Sequence, residues 1–124
     1  MIYSISLNFL YKNFSMFQNY KWKNRLLIFY HNNSDSQKKI QDKLSIFIEQ
    51  NKSGLQERKI KILSIKKFQQ FSDIAVYIKK NGYGLYLIGL DGEIKAQSTD
   101  ASLLSELFNM IDRMPMRRLE MKKI

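Results

Sequence analysis

The chain has no cysteine among its 124 residues. That absence excludes disulfides, thiolate metal sites, cysteine nucleophiles and thiol redox couples. It has one histidine, His31, and no carboxylates clustered at ligand spacing, so a protein-built metal centre lacks its usual donors and no metal ligand is assigned. There is one proline, Pro115, and only five glycines, none in a phosphate-loop or dinucleotide pattern. Gly82-Tyr83-Gly84 precedes a strand-like segment instead of a helix. No cofactor is expected. Long apolar runs are also missing. The longest nearly uncharged stretch, Met1 to Tyr11, is interrupted by Ser4, Ser6 and Asn8 and has no positive region before it. It is too short to cross a bilayer and is a poor secretory signal.

Acidic residues are scarce where basic ones are not. The net charge is +10, with 13 basic against 4 acidic groups in residues 1–70 and 8 against 7 thereafter. A basic surface draws in nucleic acid, acidic protein or anionic lipid through long-range attraction and counterion release. Lysine outnumbers arginine 16 to 5, alongside 15 Ile and 9 Asn. All three abundant residues have A/T-rich codons, so genome composition accounts for much of this charge. Apolar residues make up 44% of the chain and include eight Phe and seven Tyr, which is enough for one core without a covalent staple.

The order of elements is that of an α/β domain. Leu26 to Tyr30 is a continuous apolar run, the pattern of a strand covered on both faces. Ser34-Asp35-Ser36-Gln37 has the form of a capping box, predicting a helix with Ile40, Leu44, Phe47 and Ile48 on one stripe and a stop at Asn51 to Gly54. Lys59 to Ile65 reads as a second strand. Phe68, Phe71, Ala75 and Ile78 have helical spacing ended by Gly82. Leu85 to Leu90 and Glu93 to Ala96 flank Asp91-Gly92, predicting a hairpin on a type I′ turn. A last helix, capped by Thr99 or Asp100, carries Leu103, Leu104, Leu107, Phe108 and Ile111 and should end near Met114, before Pro115. The order β-α-β-α-β-β-α predicts a three-layer thioredoxin-like fold, with a central mixed sheet, its first two strands parallel, and a C-terminal hairpin and helix. Residues 1–21 read as an aromatic-rich arm and 22–124 as the single domain, with Trp22 and its neighbours in the core.

Several segments carry a more specific likeness: Trp22 to Phe29, Gly54 to Arg58, Leu87 to Gly92, and Ile111 to Met121 with its Met114-Pro115-Met116-Arg117-Arg118 run. Together they resemble the domain-of-unknown-function family numbered four-one-seven-four (DUF4174), over about residues 17–123. Small bacterial proteins carry this domain alone, and vertebrate sushi-repeat-containing and coiled-coil matrix proteins carry it as a module. The resemblance implies a thioredoxin-like fold and an exported or periplasmic setting, and brings no established catalytic activity.

Three groups of residues are candidates for function. His31, Ser34, Asp35, Ser36 and Gln37 occupy the loop where a redox-active thioredoxin holds its thiol pair. Hydroxyls cannot cycle to disulfides, so this loop could hold an anion or polar ligand, or simply start a helix. A Ser/His/Asp triad within it ranks lowest. Met114, Pro115, Met116, Arg117 and Arg118 could dock a partner with apolar and acidic groups, or close the core while Asp112 or Glu120 pairs with an arginine. Arg25 and Arg58 stand at strand starts and could contact an anion, with pairing inside the fold the stronger use. The leading expectation is a non-catalytic module binding a protein partner, followed by a polyanion or nucleic-acid binder, then an enzyme with non-thiol chemistry at the His31 loop.

Overall fold

A computed structural model describes residues 17–68 and 72–122. The arm aromatics before Phe17, and Phe71, lie outside the described residues. The elements are β1 (Arg25–Tyr30), α1 (Asp35–Gln50), α2 (Lys52–Glu57), β2 (Ile60–Ile65), α3 (Asp73–Asn81), β3 (Gly84–Ile88), β4 (Ile94–Ser98), α4 (Ser102–Asp112) and α5 (Pro115–Lys122).

β1 lies at the centre of the sheet because its apolar run has no polar face to offer water. The strand order is β2-β1-β3-β4, with β1 parallel to β2, and the β1/β3 and β3/β4 pairs antiparallel. Side chains alternate across the pleat. Leu27 and Phe29 face a core layer built with α1, α2 and α4, through Ile40, Leu44, Leu55, Leu104, Leu107 and Ile111. Leu26 and Ile28 face the opposite layer, where Ala75 and Ile78 of α3 meet Phe17, Phe68, Tyr86 and Ile88. This three-layer mixed α/β architecture is consistent with the thioredoxin-like layout expected from the order of elements. Burying each large apolar side chain stabilises the fold by roughly 1.5–3 kcal/mol.

Local chemistry departs from expectation at several points. Ser34 is the N-cap of α1, but its hydroxyl makes no capping bond. The Gln37 N–H donates to the Ser34 carbonyl at 3.0 Å, and the Gln37 side chain accepts from the Asn32 N–H at 2.6 Å. The capping box is thus replaced by a loop clasp. The helix stops at Asn51 alone, and Gly54 is inside α2, where the Phe108 ring packs against it so closely that a Cβ would lie 2.6 Å from Cε2. α3 begins only after Ser72, whose hydroxyl accepts from the Ala75 N–H at 3.1 Å, so Phe68 packs from the preceding loop. Gly82, at φ +94°, ends that helix as predicted.

The hairpin turn is not type I′, because only Gly92 of its central residues has positive φ (+81°). Gly89 and Glu93 close a three-residue loop, with Gly92 N–H donating back to Gly89 at 3.0 Å. This is the type I turn plus left-handed residue that three-residue hairpins use. Neither Thr99 nor Asp100 is the N-cap of α4: that position is Ala101, which makes no side-chain cap bond, and Asp100 instead accepts from the Ser102 N–H at 2.9 Å in a turn just before the helix. Pro115 terminates nothing further: it is the first residue of α5, where the missing N–H is harmless and the fixed φ suits the helix. Trp22, expected in the core, is 59% exposed because its backbone turns through φ +67° to donate to the Leu90 carbonyl.

Candidate functional site

The candidate residues occupy both ends of the sheet. At the carboxyl end of β1, His31 is 4% exposed. Its ring stacks on Phe29 at 4.4 Å, two residues earlier on the same face of the strand. Its Nε2 is 2.7 Å from the hydroxyl of Ser64 on β2. The imidazole therefore points across the β1/β2 pair, and its hydrogen bond is to Ser64, not to Ser34 or Ser36. The loop satisfies itself locally: Asn32 Oδ1 accepts from the Ser34 N–H at 3.1 Å, the two serine hydroxyls are 3.1 Å apart, and Asp35 sits in the first turn of α1. Ser64 was not singled out in the sequence. Its only signal there is a lone hydroxyl inside the apolar run Ile62 to Ile65.

Burial pushes the His31 imidazole below its ordinary pKa, the nearby Lys66 charge pushes it the same way, and the neighbouring Asn33 side chain offsets part of this. The unfolded chain thus takes up a proton before the folded one does as pH falls below about 6.5. Stability is full above that point and drops below it, by at most about 1.4 kcal/mol per pH unit. Urea midpoints measured between about pH 7 and pH 5 should fall for the wild type, and the slope should flatten in His31→Gln. An equal slope in both proteins would assign the pH dependence elsewhere.

At the opposite end, three arginines far apart in sequence converge. Arg25, at the first position of β1, is 1% exposed and donates from Nη1 to the Arg58 carbonyl at 2.9 Å and to Glu120 Oε1 at 3.1 Å. Its Nε and Nη2 have no hydrogen-bond partner among the described residues. Arg58 forms a two-pronged contact with Asp112, Nε to Oδ1 and Nη2 to Oδ2, both at 2.9 Å. It also donates to the Gly54 carbonyl at 3.0 Å and lies 3.9 Å above the Phe108 ring. Arg117, 2% exposed on α5, reaches Glu57 at 2.8 Å, Asp112 at 3.2 Å and Glu120 at 3.7 Å. Hydrogen bonds from Arg58, reinforced by Arg117 and opposed by burial, hold the Asp112 carboxyl below the usual carboxylate range.

The arginines read from the sequence as separate candidates are thus parts of one ion-pair cluster that fastens α5 to α2, α4 and the starts of β1 and β2. Glu57 joins it without having been assigned a role from sequence. The cluster leaves the rest of the Met114–Arg118 run divided. Met114 packs on the core, whereas Met116, Arg118, Leu119 and Met121 are exposed. Among the described residues no group of three or more metal-binding side chains occurs, and no helix is long and apolar enough to cross a membrane.

Comparison with curated proteins and with solved structures found no match. The family comparison did, over residues 16–120, a span that holds β1 through all but the end of α5 and the whole arginine cluster. The chain belongs to the family described as Domain of unknown function (DUF4174).

Proposed function

We propose that this domain is a protein-docking module that works through the outer face of α5, without thiol chemistry. One observation carries the reading: α5 is amphipathic with its faces reversed. A surface helix ordinarily buries its apolar stripe and turns charge to solvent. Here Arg117 and Glu120 face inward, and Met116 and Leu119, three residues apart on one side, are 39% and 58% exposed. Stability does not account for this arrangement, because a buried ion pair contributes about as much as, or less than, well-packed apolar residues of the same volume. The reversal instead leaves an apolar stripe available at the surface. Arg118 and Lys122 on the same helix are also exposed, which suits a partner with apolar anchors and acidic groups around them. Methionine side chains adapt to irregular partner surfaces.

The test is affinity capture from the native cell with the wild type and with the double variant Met116→Asp, Leu119→Asp, at low and moderate salt. A defined protein partner should be lost in the double variant. Both residues are solvent-exposed, so the variant's unfolding free energy from urea titration should stay within about 1 kcal/mol of the wild type, about 0.5 kcal/mol for each substitution. Capture unaffected by the two changes would sink the reading. Nucleic acid that is released by salt would put the basic charge in first place instead.

A further inference from the structure

We propose that the outer edge of β2 accepts an acidic, extended peptide segment as a fifth strand, an inference that rests on the docking-module reading and names a partner chemistry for it. In the parallel β1/β2 ladder, Arg25 N–H donates to the Lys59 carbonyl and His31 N–H to the Ile65 carbonyl, with Phe29 opposite Ser64. The alternation of a parallel ladder then commits the polar backbone groups of Lys61, Leu63 and Ile65 to β1. Those of Ile60, Ile62 and Ser64 turn outward. Among the described residues no strand pairs with them, since β2 ends the sheet.

The chemistry along this edge is one-sided. From Arg58 to Ser72 the sequence holds Arg58, Lys59, Lys61, Lys66 and Lys67 and no carboxylate. Arg58 is committed to Asp112, and Lys59 is 3.6 Å from Glu120, but Lys61, Lys66 and Lys67 are exposed and form no ion pair among the described residues. Lysines on an edge strand discourage pairing with a second copy, because like charges set opposite each other are destabilising. The same lysines favour a strand carrying glutamate or aspartate. Half-buried Leu63 and Ile65 lie at alternate positions on one face of β2 and half-buried Ile62 on the other, and both would continue under apolar residues of the incoming strand. Main-chain pairing supplies affinity in such additions, and the alternate side chains supply selectivity. The start of β2 is also joined to the inward side of α5 through the Lys59–Glu120 contact.

The experiment uses the full chain and a fluorescent peptide alternating glutamate with valine or threonine, with a lysine-for-glutamate version as control. Binding is read by anisotropy, and the bound strand is located by amide hydrogen exchange. The peptide should bind, the lysine version should not, and the amides of Ile60, Ile62 and Ser64 should become protected. Ser64→Pro removes an outward N–H, and Ser64→Ala keeps it. Both lose the hydroxyl that meets His31, so the pair isolates the backbone group. Ser64→Pro should weaken binding about tenfold relative to Ser64→Ala, the equivalent of one lost hydrogen bond. Equal affinity in these two variants, no binding, equal binding of the lysine peptide, or protection of the three amides already in the free protein would each overturn the proposal. So would single-stranded DNA protecting the same amides where the peptide does not. The Met116→Asp, Leu119→Asp variant should bind the peptide as the wild type does, so a failure here leaves the α5 reading standing and a failure there leaves this edge to be judged on its own.

Discussion

Gly84→Ala is expected to destabilise the domain by about 3 kcal/mol or more, the largest effect of any single methyl addition in this fold. Gly84 opens β3 at φ +149°, outside the region that side chains tolerate. A Cβ there would collide with the Ser98 carbonyl oxygen and come within 3.1 Å of the Thr99 Cα. Both obstacles are backbone, and Leu85 pairs with Ser98 in the β3/β4 ladder, so relief requires the strands to separate at that end. Gly54→Ala makes the contrast. Its Cβ would meet the Phe108 ring at 2.6 and 2.9 Å, but its φ is ordinary and Phe108 is only half-buried. Alanine gains up to about 1 kcal/mol over glycine in a helix, which offsets part of the cost of moving the ring. A net loss of about 1 kcal/mol is expected. Urea denaturation of the two variants checks the order, and a larger loss at Gly54 would contradict it.

What the sequence made legible follows from how local each determinant is. The continuous run of β1, the apolar stripe of α4 and the stop at Gly82 depend on neighbours in the chain, and each is observed. α5 was hidden because a proline that blocks one helix equally well starts another, and nothing in Met114-Pro115-Met116 says which. The capping box at Ser34 had the right residues, but Asn33 takes a positive φ of 66° and brings the Asn32 N–H within reach of Gln37, so the clasp outcompetes the cap. The exposed Trp22 shows the limit of composition: a backbone bond to Leu90 decides its position, and its apolar ring does not.

The candidate site was legible as a set of residues and not as a constellation. Arg25, Arg58 and Arg117 could each be marked from local context, but Glu120 lies 95 positions from the Arg25 it binds. No periodicity encodes such a contact. The resemblance to the family drew attention to Trp22–Phe29, Gly54–Arg58 and Ile111–Met121, the three segments that meet in the ion-pair cluster, without indicating that they meet.

Arg117→Ala should lower stability by about 3 kcal/mol, and Arg118→Ala, one residue away, by less than about 0.5 kcal/mol. The neighbours differ because Arg117 is buried among Glu57, Asp112 and Glu120, and Arg118 points to solvent. Removing Arg117 leaves Glu120 to Arg25 and Lys59, leaves Asp112 to Arg58, and opens a space at the base of α5. The cost is held near the lower end of the range for broken buried pairs, about 3–5 kcal/mol, because Glu57 and Asp112 can recover hydration at their exposed sides. Urea midpoints of the two variants measure the difference, and near-equal values would mean that the cluster fastens nothing. The same comparison separates structure from docking. If α5 works through its outer face, Arg117→Ala should lose partner capture together with stability, since the helix comes loose. Met116→Asp with Leu119→Asp should lose capture and keep stability. Only the second pattern identifies a contact surface, because a residue that holds the helix in place and a residue that touches the partner give the same result in capture alone.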